Sequence, residues 1–297
     1  MSKNKILENI DIFKCPICGS KMDIYDLKSL ICSNKHCFDL SKNGYVNLLL
    51  KSNKTGYDKA MLKSRNIVCK IGFFKPMLEK ISDIIVNEIS NTVFDKRRIL
   101  DAGCGEGSHL EQIISKLRNK TPVNFDGVGI DISKEGIQIA TKEYPDNIWC
   151  VGDLAKNPFM NKKFDVVLNI LSPSNYFEFN RIISDNGILI KVVPGSNYLR
   201  ELREVFYDKT DKQTYSNEKV LKHFSNNFDL IYKQQILYCM ELDKENLRNL
   251  IKMTPLSWRA TNEKIQKALN IKSNRITVDF IIMCGKRLTR SSKINDY

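Results

Sequence analysis

From residue 98 onward the apolar residues fall into short blocks separated by helical stripes. Arg98–Ala102, Phe125–Ile130, Ile148–Val151, Phe164–Leu171 and Ile188–Val193 are apolar runs of strand length. After the first, Leu110, Ile113, Ile114 and Leu117 recur at the spacing of one helix face, and helices are expected near Lys134–Tyr144 and Phe177–Ile183. This alternation predicts an α/β domain with a parallel sheet and helices on both faces. Upstream, Met77, Leu78, Ile81, Ile84, Ile85 and Ile89 stripe a helix that Pro76 helps to open. Another helix is expected from Lys59 through Met61, Leu62 and Arg65 to Cys69, ending at Gly72. The tail changes character. Phe228–Leu242 reads as a long strand, Asn246–Met253 and Glu263–Leu269 as helices, and Arg275–Cys284 as a final strand, which suits the antiparallel end of a mixed sheet. Lys286 to Tyr297 is polar and basic, and fraying is expected there.

The first fifty residues follow neither pattern. Cys15-Pro16-Ile17-Cys18 and Cys32-Ser33-Asn34-Lys35-His36-Cys37 read as two short hairpins, each ending in a knuckle. Zinc takes four tetrahedral sulfur or nitrogen ligands, and C-x2-C is its commonest half-site. Cys15, Cys18 and Cys32 are three ligands; His36 and Cys37 compete for the fourth place, and spacing does not separate them. So short a segment has too little core to fold alone, so metal binding supplies its folding energy. An extended run from Tyr45 to Leu50 and a polar stretch from Lys51 to Asp58 follow. The chain therefore divides into a zinc-binding module at 1–50, a linker with helices at 51–94, and a main domain at 95–297.

Composition narrows the class. No stretch of the 297 residues is apolar enough to span a membrane, and the N-terminus lacks the apolar run of a secretory signal, so a cytoplasmic protein is expected. Nine cysteines in such a chain point to metal rather than disulfides. The net charge of +13 favours a polyanionic partner. Lys14, Lys21, Lys28, Lys35 and Lys42 surround the knuckles, and Lys51, Lys54, Lys59, Lys63 and Arg65 continue the basic stretch as an expected RNA-contact surface.

The chemistry concentrates at Asp101-Ala102-Gly103-Cys104-Gly105-Glu106-Gly107, a strand end that turns into a helix. Glycines there let a ligand approach the backbone closely. Asp131 ends the second strand, where a carboxylate can bind both ribose hydroxyls, and Asp153 follows the third, within reach of an adenine amino group. G-x-G-x-G fits NAD less well than G-x-G-x-x-G does. The arrangement resembles a Rossmann-like class I S-adenosylmethionine-dependent methyltransferase with a mixed seven-stranded sheet, here joined to a small zinc-ribbon-like domain.

Over nearly its full length the chain also resembles the bacterial 23S ribosomal RNA guanine-N1 methyltransferases with an N-terminal zinc finger. Cys15-Pro16-x-Cys18, Cys32-x-x-x-His36, Phe38-Asp39, Gly44-Tyr45-Val46-Asn47-Leu48-Leu49, the Asp101–Gly107 turn and Met253-Thr254-Pro255-x-x-Trp258-Arg259-Ala260 carry the resemblance. It implies that His36 is the fourth zinc ligand, that Gly105 and Glu106 contact S-adenosylmethionine, and that Phe74 and Tyr198 are further cofactor positions, although relatives often carry tyrosine at the first and some carry histidine at the second. It also implies 23S rRNA as substrate and a homodimer. Guanine N1 carries a proton that must leave on methylation, and no residue identifies itself as the acceptor. Ser172 and Pro173 are expected to shape the base pocket, Glu178 is weighed as a proton acceptor, and Trp258 and Arg259 as base-stacking or phosphate contacts. Two other readings are a methyltransferase of a small metabolite and a non-enzymatic zinc-dependent nucleic-acid-binding protein. The finger and basic charge oppose the first, and the intact turn with its acids opposes the second.

Overall fold

A computed structural model describes residues 2–51, 56, 58–89, 96–207, 217–258, 260–271 and 274–288. Lys54, Arg259 and the tail from residue 289 lie outside the described residues.

A first helix, α1 (Ser2–Glu8), leads into a three-stranded antiparallel sheet of β1 (Met22–Tyr25), β2 (Ser29–Cys32) and β3 (Cys37–Asp39). The short strand β4 (Tyr45–Asn47) follows. Two helices come next, α2 (Lys59–Lys70), capped by Asp58 through the Met61 amide, and α3 (Lys75–Ile89). The main sheet then alternates with helices: β5 (Lys96–Ala102), α4 (Ser108–Lys120), β6 (Asn124–Asp131), α5 (Lys134–Glu143), β7 (Ile148–Val151), β8 (Phe164–Ile170), α6 (Tyr176–Ile182) and β9 (Ile183–Pro194). Helices α7 (Arg200–Phe206) and α8 (Glu218–Ser225) precede the long strand β10 (Phe228–Glu241). Helices α9 (Lys244–Met253) and α10 (Asn262–Leu269) and strand β11 (Arg275–Arg287) complete the order.

The main sheet runs β10-β11-β9-β8-β5-β6-β7-β4, parallel from β9 to β4 and antiparallel at β11 and β10. It therefore has eight strands, not seven. The extra one comes from the N-terminal module: β4 pairs in parallel with β7, Tyr45 opposite Trp149 and Asn47 opposite Val151. Without it the edge of β7 would present unpaired backbone groups.

Strand periodicity sends side chains to two cores. Ile99, Val166, Leu168, Ile188, Ile190 and Val192 pack with α2, α3 and α4 on one face. Leu100, Val167, Leu189 and Val193 pack on the other with Ile6, Ile12, Phe13 and Phe159. Thus α2 and α3 pack directly into the core of the main sheet. The N-terminal module is also fastened by charge: Arg98 donates from both terminal nitrogens to Asp11 (2.8 and 3.0 Å), and Lys163 donates to the same carboxylate (2.9 Å).

The chain leaves β5 for β6 and β7 on one side and later returns to β8 on the other. The crevice at the carboxyl end of β5 is therefore the topological switch point, where open α/β sheets bind ligands.

Candidate functional site

The glycine turn sits at that crevice. Gly103, Gly105 and Gly107 all have positive φ (87°, 59° and 86°). At Gly107, which begins α4, a Cβ would lie 2.6 Å from the Trp149 ring and 2.9 Å from Ala140 Cβ, so the turn closes onto β7 and α5 only without a side chain. Asp131 holds the turn from the next strand. Its Oδ2 accepts from the Gly105 amide and its Oδ1 from the Ser133 amide, both at 2.8 Å. Each oxygen keeps a further lone pair for a hydroxyl donor.

A cavity of about 670 Å³ opens above. Gly103, Gly105, Asp131 and Asp153 line it, together with Leu62, Arg65, Ile132, Ser133, and the segment from Leu171 to Phe177. Asp153 accepts from the Ala155 amide (2.8 Å), which fixes its backbone at the rim. Four of the eight expected cofactor residues thus share one wall.

The other four lie behind it. Asp101 is buried, its Oδ1 has no hydrogen-bond partner among the described residues, and burial raises its carboxyl pKa to about 7, with Arg65 opposing the rise. Glu106 is buried beneath the turn, where it accepts from Asn66 Nδ2 (3.1 Å) and the Ser108 amide (3.2 Å). Phe74 is a core residue packed edge-on against His109, with ring centroids 4.7 Å apart, and close to Phe280. Tyr198 packs on Phe280 at 5.0 Å. Phe74 and Tyr198 therefore form a second layer behind the turn.

Arg65 is the residue that sequence reasoning misplaced. Counted among the basic RNA-contact stretch, it lies instead over the turn: its guanidinium is 3.6 Å from Glu106 Oε1, donates to His109 Nδ1 at 3.3 Å, and comes within 2.8 Å of where a Cβ on Gly105 would be. Against the cost of its burial, Glu106 first, with Asp101 and Asp131, raises the Arg65 pKa, and burial, with Arg65 beside it, holds the His109 pKa well below the usual imidazole range. The signal in the sequence is its place one turn after Met61 and Leu62 on α2, a helix whose buried face must meet the core.

The cavity extends toward β8 and β9. A second hollow of about 560 Å³ shares Leu171, Ser172, Pro173, Ser174, Tyr176 and His223 with the first, and adds Lys191, Pro194 and Lys219. Ser172 and Pro173, the residues expected to shape a base pocket, line both hollows. Asn169 braces them, donating to Pro173 O (2.9 Å) and accepting from Ser174 Oγ (2.8 Å). Glu178 is not available as a proton acceptor: it is buried and grips Arg181 at 2.7 and 3.0 Å. Trp258 is half exposed against Gly56.

The knuckles assemble one metal site. The ligand atoms of Cys15, Cys18, Cys32 and His36 lie within 4.8 Å of one another. Cys15 Sγ and Cys32 Sγ are 3.5 and 3.4 Å from His36 Nδ1, and Cys18 Sγ is 3.7 Å from Cys32 Sγ. A zinc tetrahedron has edges of about 3.6 Å between sulfur and nitrogen and about 3.8 Å between sulfurs, so this donor set fits the ion. Cys37 is exposed on β3, paired opposite Ile31, and is outside the group. His36 is the fourth ligand.

Comparison with known proteins bears on the two domains and on the family. Residues 13–55 match a zinc-ribbon family described as "RlmA, N-terminal", and residues 99–184 match a family described as "Methyltransferase domain". The chain is 41% identical over 282 residues to the Bacillus subtilis (strain 168) protein named "Putative 23S rRNA (guanine-N(1)-)-methyltransferase YxjB", covering 94% of this chain and 98% of that one. The chain belongs to the 23S rRNA (guanine-N1)-methyltransferase family. A Streptomyces fradiae relative, named "23S rRNA (guanine(748)-N(1))-methyltransferase", is 24% identical over 86% of this chain and 89% of its own. This chain accordingly combines a class I S-adenosylmethionine-dependent methyltransferase sheet with an N-terminal zinc ribbon. Among the described residues no helix is long and apolar enough to cross a membrane.

Proposed function

We propose that this protein transfers the methyl group of S-adenosylmethionine to N1 of a guanine in 23S rRNA, in the cytoplasm. The observation that carries the reading is the wall of Gly103, Gly105, Asp131 and Asp153 at the switch point, beside a second hollow that shares Leu171–Ser174, Tyr176 and His223 with it and could take an acceptor.

The residues fit the cofactor. Asp131 is the ribose anchor, with a lone pair to spare on each oxygen. Asp153 is placed for the adenine edge. Arg65 suits the carboxylate of the methionyl end, because a guanidinium fork matches a carboxylate and is already desolvated. Asp101, with its unpartnered buried oxygen, suits the ammonium beside that carboxylate. The bound cofactor supplies an electrophilic methyl on a sulfonium. The protein's part is to hold a flipped-out guanine so that N1 meets that methyl in line.

The zinc ribbon serves recognition of the RNA and, through β4, completes the sheet. A homodimer is the assembly we assign, supported by Leu230, Ile231 and Leu237, exposed on the edge strand β10; light scattering tests it. Function is tested by transfer of labelled methyl from S-adenosylmethionine to unmodified large-subunit RNA, followed by reverse transcription. A stop opposite one guanine supports the reading. Labelling of a metabolite extract with none of the RNA refutes it.

A further inference from the structure

Lys191 lies near the end of β9, directly opposite Asn169 on β8. It is buried, yet it lines the acceptor hollow. Its ammonium donates to Asn169 Oδ1 at 2.5 Å and to the Ser172 carbonyl at 2.7 Å. Both acceptors are neutral, and among the described residues no carboxylate pairs with it. A buried cation without a counter-ion is costly, and folding retains it only where something repays the cost. Its third N–H has no partner among the described residues.

The groups facing it sharpen the point. Asn169 and Ser172 come from β8 and the segment after it, Tyr176 from α6, and Lys219 and His223 from α8. Met283, its partner on β11, carries no charge. None of the residues lining the hollow is acidic. This wall of the hollow is electropositive, and the hollow shares Ser172 and Pro173 with the cofactor cavity.

We propose that the Lys191 ammonium binds O6 of the target guanine and stabilises the negative charge that O6 gains as N1 loses its proton. This rests on the functional reading above. The electron balance is simple. The N1–H bond breaks, its proton passes to water in the hollow, and the negative charge is shared between N1 and O6 through the C6 π bond. The N1 pair then forms the N–CH3 bond as the S–CH3 bond breaks, leaving a neutral thioether and a neutral methylated base. A donor fixed where charge develops acts on the transition state. It also selects against adenine, which presents an amino group where guanine presents O6.

Burial lowers the Lys191 pKa to about 8, which gives the role a signature. Methyl transfer needs an ionised N1, favoured by rising pH, and an ammonium on Lys191, lost above its own pKa. The rate should therefore climb with pH and level off near 8. Arginine stays charged and methionine never was, so K191R and K191M should both keep climbing past that point.

The test is single-turnover methylation of an unmodified rRNA hairpin by the full-length zinc-loaded protein across about pH 6–9, with cofactor affinity measured alongside. K191M is expected to lose about 10²–10³-fold in rate, the cost of one such donor, with cofactor affinity unchanged. K191R keeps the charge and both braces, and decides by its pH profile alone if K191M does not fold. A K191M rate within about tenfold of wild type, a shared pH profile, or a rate loss matched by lost cofactor affinity would overturn the proposal, the last marking Lys191 as a brace of the Ser172–Pro173 segment. A wild-type protein that binds the cofactor but leaves guanine N1 unmethylated overturns the functional reading itself.

Discussion

Replacing Arg65 with methionine separates the cofactor-anchoring reading of this side chain from a structural one. Arg65 faces Glu106 at 3.6 Å and offsets Asp101 and Asp131. Removing it leaves an acidic cluster without its cation. Breaking such a buried pair costs about 3–5 kcal/mol. Since 18% of the Arg65 side chain is exposed, screening places the loss toward the lower end. Calorimetric or denaturant unfolding reads that loss directly. A charge-assisted contact to the cofactor carboxylate adds about 1.5–3 kcal/mol, or about 10–150-fold in affinity. A cycle isolates the second effect from the first. Wild type should bind S-adenosylmethionine about 10–150-fold more tightly than its decarboxylated analogue, whereas R65M should bind the two alike. Isothermal titration measures all four constants. If R65M weakens both ligands by the same factor, Arg65 only supports the turn and the carboxylate assignment is wrong.

Asp101 predicts a proton-linked stability. Its folded pKa is raised from 3.8 to about 7, so its contribution is fully present below about pH 4 and is lost as pH rises through 7. D101N should flatten stability between those limits, and cofactor binding near pH 6 should release a proton from wild type but not from D101N, as titration in buffers of different ionisation enthalpy will show. Chelation of zinc, or C18S, should unravel the ribbon and free the edge of β7, lowering the melting temperature while leaving cofactor affinity measurable; a melting curve indifferent to chelator contradicts the metal-driven fold. G107A should cost about 2–4 kcal/mol in urea unfolding, from the positive φ and overpacking against Trp149. RNA affinity should fall steeply with salt, because phosphate contacts release counterions, and a flat dependence argues against the basic ribbon as the RNA surface.

The candidate site residues set by local geometry were legible in the chain. C-x2-C and C-x3-H bring four donors together because each knuckle is closed by its own turn. Gly19 is left-handed and its amide donates to Cys15 O (2.8 Å), and Lys35, also left-handed, donates to Cys32 O (2.8 Å). The glycine turn and Asp131 were legible for the same reason, since a strand end, a turn and a helix start fix one another over a few residues. So were the five central parallel strands, whose apolar runs are long enough to be buried on both faces.

What depended on chain segments meeting at a distance was not legible. Arg65 looks like one more cation in a basic stretch, and only the packing of α2 on the turn places it over Glu106. Phe74 and Tyr198 meet at Phe280, on a strand more than eighty residues beyond either, and end up behind the cofactor wall. The eighth strand comes from a module that reads as separate, since three residues of β4 carry no signal for their partner on β7. Lys191 sits in an ordinary strand sequence, and its isolation from any carboxylate exists only once β8, β9, α6 and α8 enclose it. Sequence fixes chemistry wherever neighbours in the chain are neighbours in space. Burial, charge compensation and the company a side chain keeps are properties of the folded sheet, and they decided which cations here face solvent and which are buried beside the hollows.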